Sequence, residues 1–107
     1  MYGGLAVAIA SAAERYVRPR IKKDKASGMT EKAIRESLSR MDGHASYNRA
    51  RILANCFKHA EGKVTEDYIT ASSDGLSLGD EVDFMKEDWP QLIDNTQRLI
   101  ISLIRTP

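Results

Sequence analysis

Apolar side chains recur three and four residues apart in several stretches of this chain, the repeat of helices that each bury one face. Leu5, Ile9, Ala12, Tyr16 and Val17 predict a first helix ending near Pro19, where the hydrogen-bond ladder loses a donor. The basic stretch RIKKDKASG then reads as a loop. Thr30 is placed to cap a short second helix with Ile34, Leu38 and Met41 on one side, and Asp42-Gly43 supplies its stop. Ser46 is placed to cap a third helix whose apolar side is Ala50, Leu53, Phe57 and Ala60, closed by Gly62.

From 63 to 88 the helical period lapses, apart from a helical turn started by Thr65-Glu66-Asp67 that contains Tyr68 and Ile69. Ser72, Ser73, Asp74 and Gly75 mark a turn. Leu76-Ser77-Leu78 and Val82-Asp83-Phe84 alternate around Gly79-Asp80, which predicts a small hairpin or an extended lid. Asp88 as cap and Pro90 in the first turn open a last helix, with Ile93, Thr96, Ile100, Leu103 and Ile104 on its apolar face. The expected fold is all-α: an antiparallel bundle of about four helices with a loop or small hairpin before the last, in one domain over residues 1–107.

Composition adds two constraints. Cys56 is the only cysteine, so no intrachain disulfide forms, and a cytoplasmic location is expected. Residues 5–13 resemble the hydrophobic region of a secretory signal, but no basic segment precedes them. Glu14 and Arg15 end the run well short of the roughly 20 residues a membrane span needs, so it reads as a buried helix. The net charge of +1 conceals a division: residues 1–60 hold 12 Lys and Arg against 5 Asp and Glu, and residues 61–107 hold 4 against 10. The halves therefore balance at +7 and −6. The densest basic run is Arg15, Arg18, Arg20, Lys22, Lys23 and Lys25, and it lacks interleaved aromatics.

Candidate chemistry concentrates in NRARILANCFKHAEG, residues 48–62, where Arg51, Asn55 and His59 stand four apart and share a helix face. A guanidinium neutralises phosphate charge, an imidazole moves a proton, and an amide orients either one. RNA brings its own 2′-hydroxyl nucleophile, so such a set needs no metal or other cofactor. His44 and His59 are too few and too far apart for a zinc site, and the acidic residues from Asp80 to Asp88 lack calcium-loop spacing. The plainer reading is structural, with Asn55 and His59 bonding neighbouring helices and Arg51 solvated. Trp89 and Cys56 read as packing residues.

Three segments resemble the HEPN superfamily, small all-helical domains of bacterial toxin–antitoxin, abortive-infection (phage defence) and RNA-processing systems. LAVAIASAAERYVRP is similar to its first helix, and ILANCFKHAEGKV resembles its Asn-x-x-Lys-His-x-x-Gly segments. PQLIDNTQRLIISLI is similar to its last helix. The family's catalytic pattern is an arginine, commonly followed by Asn, Asp or His, with four to six residues between that arginine and a histidine. Asn55 and His59 match the later positions, while the arginine position falls on Ala54, and seven residues stand between Arg51 and His59. The resemblance implies either a metal-independent ribonuclease using Arg51, Asn55 and His59 or an inactive relative that binds a partner. It also implies a homodimer with the polar residues facing across the interface, and for some members a nucleotidyltransferase antitoxin as partner.

Two other classes fit the residues. One is a non-enzymatic helical protein that dimerises or docks through its divided charge. The other is a helix-turn-helix DNA-binding regulator, with the Asp42-Gly43 turn followed by Tyr47, Asn48, Arg49 and Arg51.

Overall fold

A computed structural model describes residues 2–105. The fold is an all-α bundle of α1 (Tyr2–Ala26), α2 (Glu31–Ser39), α3 (His44–His59), the short α4 (Glu66–Ala71) and α5 (Trp89–Arg105), with a 3₁₀ turn at Phe84–Lys86. α1, α3 and α5 pack against one another, and α3 makes the most extensive contacts. Tyr2 stacks on Trp89, and Ala13 and Val17 share a cluster with Leu99 and Leu103, so α1 and α5 run side by side in the same direction. α3 runs against both.

Small residues permit this closeness. The face of α1 toward the core carries Gly3, Ala6, Ala10, Ala13 and Val17, all buried. A Cβ on Gly3 would sit 2.1 Å from the Phe57 ring. Gly43, which precedes α3, has a φ of 85°, and a Cβ there would lie 1.8 Å from the Asn95 carbonyl oxygen on α5. Only glycine meets both demands. Beside it, Asn95 Nδ2 donates to Ser46 Oγ at 3.1 Å, so Ser46 ties α3 to α5 instead of capping α3.

Several sequence signals act as expected. Thr30 Oγ1 accepts from the Ala33 amide, Thr65 Oγ1 from the Tyr68 amide, and Asp88 Oδ1 from the Gln91 amide. α3 closes where Glu61 and Gly62 turn left-handed and the Gly62 amide donates to the Cys56 carbonyl at 2.8 Å. Cys56 and Trp89 are buried, and the Trp89 indole donates to the Phe84 carbonyl at 2.9 Å.

Two elements differ from the sequence expectation. α1 does not end near Pro19 but continues to Ala26, with Pro19 inside it and exposed. A proline removes one bond of the ladder, and here Ile21 packs on the core cluster beyond it and holds the helix together. The hairpin over 76–84 does not form. Instead Lys63 and Glu81 make an isolated antiparallel bridge, with the Val64 amide donating to the Asp80 carbonyl and the Val82 amide to the Gly62 carbonyl. The segment thus pairs with the chain after α3 rather than with itself. No helix among the described residues is long and apolar enough to cross a membrane.

Candidate functional site

Buried residues cover most of the circumference of α3: Tyr47, Ala50, Ile52, Leu53, Ala54 and Cys56. One stripe stays open. At 3.6 residues per turn, His44, Asn48, Arg51, Asn55 and His59 fall within about 80° of one another around the axis. His44, Asn48, Arg51 and Asn55 are half-buried and His59, the last residue of the helix, is exposed. The three residues singled out by spacing therefore share a face. They do not meet at one point, because His59 stands eight positions beyond Arg51, about 12 Å along the axis.

The stripe is longer than the sequence reading took it to be. Asn48 Oδ1 accepts from Arg51 Nη2 at 2.8 Å and steadies the guanidinium against the helix. His44 lies edge-on to Tyr47, with ring centroids 5.9 Å apart. Burial first, and then the Arg51 charge, push the His44 imidazole below its ordinary pKa. Tyr47 is raised, first by burial and then by the Glu14 carboxylate, and Arg51 and Arg18 oppose that rise. Glu14 and Arg18, which pair at 3.0 Å on α1, thus flank the N-terminal half of the stripe. Moving from Arg51 back by three residues to Asn48 and by four more to His44, the alternate three-and-four spacing of one helix face, finds both.

Arg49 faces the other way. Its Nε and Nη2 donate to both carboxylate oxygens of Glu87 at 2.8 and 2.9 Å, and Nη1 donates to Ser72 Oγ. The guanidinium also stacks 4.8 Å from the centroid of the buried Tyr68 ring. The bidentate bond to Glu87 raises the Arg49 pKa even though burial opposes it. Next to it, Lys86 donates to Asp74, as does the Tyr68 hydroxyl; these two bonds, the Lys86 bond above all, hold the Asp74 carboxyl well below its usual range. This network fastens the 72–88 segment to α3. It also occupies Arg49, one of the residues a helix-turn-helix reading would send to bases, while the start of α3 at Gly43 is packed on α5.

Ala54, at the family's arginine position, is 2% exposed among the core residues of α1 and α3. The open stripe combines hydrogen-bond donors and acceptors, one guanidinium and two imidazoles on a convex helix surface, chemistry suited to an extended phosphate-bearing strand. No family model matches the chain, and neither a curated protein nor a solved structure matches it.

Proposed function

We propose that this chain is a HEPN-like helical protein that binds RNA along the open stripe of α3 and does not cleave it. The register of α3 carries the reading. The helix turns the position of the family's catalytic arginine into the core as Ala54 and leaves Arg51 on the surface about 12 Å from His59. Arg51 and His59 are then spaced to touch successive parts of a strand rather than a single reacting phosphodiester, and charge stabilisation and proton transfer must converge on one phosphate for cleavage. Arg51 makes no ion pair among the described residues, so its charge remains available to a phosphate.

Fluorescence anisotropy with a labelled single-stranded RNA, read alongside a gel of the same RNA, tests this. Binding should weaken as salt rises, by roughly 0.7 in log K per unit of log salt for each phosphate contacted. Arg51→Ala should remove about one such contact, and the RNA should stay intact. Cleavage that disappears in His59→Ala would restore the ribonuclease reading. Absence of salt-sensitive binding would remove RNA as the ligand.

A further inference from the structure

The basic stretch that reads in the sequence as a loop after Pro19 is the last third of α1, which continues to Ala26. Being helical gives its cations a phase. At about 100° per residue, Glu14, Arg18, Lys22 and Lys25 fall within about 80° of one another around the axis, whereas Lys23 stands about 140° from Arg18. Arg20 pairs with Asp24 at 3.3 Å and Arg18 with Glu14 at 3.0 Å. Lys22, Lys23 and Lys25 are exposed and make no ion pair among the described residues. The Arg18 side chain is 78% exposed, and a pair so open to water is weak, so its guanidinium can still meet a phosphate.

This edge of α1 adjoins the open stripe of α3. The two helices run antiparallel, and Tyr47 shares a core cluster with Ala13 and Val17, so the first turn of α3 is level with that part of α1. Glu14 and Arg18 both act electrostatically on the Tyr47 hydroxyl, which sets their side of α1 beside the His44–Arg51 end of the stripe. Lys22 and Lys25 then prolong the same edge for about 10 Å past Arg18. From Glu14 to His44 the chain holds nine Lys and Arg against five Asp and Glu. Three of those carboxylates, Glu14, Asp24 and Glu31, are already paired within their own helices, which leaves Glu36 and Asp42 to oppose the cations.

We infer that the bound RNA strand leaves the α3 stripe past His44 and continues along this edge of α1, with Arg18, Lys22 and Lys25 as phosphate contacts. The path rests on the stripe being an RNA site and extends that site onto a second helix. A polynucleotide carries its charges at regular intervals along one line, and a row of cations in line with the stripe meets them. No aromatic ring stands among Arg18, Lys22 and Lys25, so this part of the track grips the backbone, stacks no base and tolerates any sequence.

Anisotropy titrations at several salt concentrations, with a labelled single strand of about 12 nucleotides, test the path. Lys22→Ala and Lys25→Ala should each lower the slope of log K against log salt by about 0.7, one phosphate contact apiece, and together by about 1.4. Lys23→Ala removes the same charge from the same turn on another side of the helix and should leave the slope unchanged. All three positions are exposed, so the far-UV circular dichroism should not move. An equal loss at Lys23 would show attraction to total charge and overturn the path. So would binding that depends on Arg51 and ignores Lys22 and Lys25, which would leave the α3 stripe as the whole site. Absence of salt-sensitive binding would remove the stripe and its extension together.

Discussion

Arg49 and Arg51 are two residues apart on one helix and meet opposite fates. Arg49 points toward the 72–88 segment, where Glu87, Ser72 and the Tyr68 ring satisfy its donors and its charge. Arg51 lies along the open stripe, where among the described residues its guanidinium donates to the neutral Asn48 amide oxygen. One arginine fastens two segments of the molecule together, and the other makes no ion pair among the described residues. The difference comes from partners far away in sequence, since Glu87 lies 38 residues from Arg49. Residue type and local spacing alone do not separate the two.

Substitutions should separate them. The largest effect is expected for Arg49→Ala, which leaves the Glu87 carboxylate, 10% exposed, without its cation. A loss of about 2–4 kcal/mol is expected, somewhat below a fully buried pair, read as a fall in Tm by circular dichroism. RNA affinity should change little, and a large loss of affinity with intact stability would reverse the two roles. In second place, Glu87→Ala should cost nearly as much, and the double variant should lose clearly less than the sum of the two, with a coupling of about 1–3 kcal/mol. Additive losses would show that the bidentate pair contributes nothing of its own.

Arg51→Ala should leave thermal stability within about 0.5 kcal/mol of the wild type, because it breaks no ion pair. In the anisotropy assay its affinity should fall roughly tenfold. Equal loss of stability at both arginines would erase the contrast.

The smallest effect is in the pH dependence. His44 is held below its ordinary pKa of 6.5, so the unfolded chain binds more protons there. Its contribution to stability is present above pH 6.5 and is lost as pH falls through the folded-state value. Because the ring is half exposed, the change should be under about 0.5 kcal/mol. The wild-type Tm should drop between pH 7.5 and 5.5, and His44→Gln should flatten part of that drop. RNA phosphates near the ring would favour its protonation, so RNA affinity should rise over the same interval if His44 belongs to the stripe.

The elements fixed by local chemistry are legible in the sequence alone. Thr30, Thr65 and Asp88 announce helix starts because a cap needs only its own neighbours. Where distant contacts decide, the pattern misleads. Pro19 reads as a stop, yet packing of Ile21 carries α1 past it to Ala26. The alternation around Gly79-Asp80 reads as a hairpin, yet Val82 finds its backbone partner at Gly62. The face of α1 was misread because Gly3, Ala6, Ala10 and Ala13 score as weakly apolar, whereas their small size lets α3 come close. For the candidate site, spacing correctly grouped Arg51, Asn55 and His59 on one face. It did not reveal that Ala54 is interior or that Arg49 is already engaged.

The clamp at Glu87 also bears on the order in which the molecule comes apart. It closes a long loop over a segment with few regular backbone bonds, and it cannot form until α3 and the start of α5 are already near each other. An interaction made that late contributes little to the rate of folding and mostly governs the rate of unfolding. The 72–80 stretch should therefore be the first region a protease reaches, and loosening Arg49 should expose it long before the three-helix core gives way.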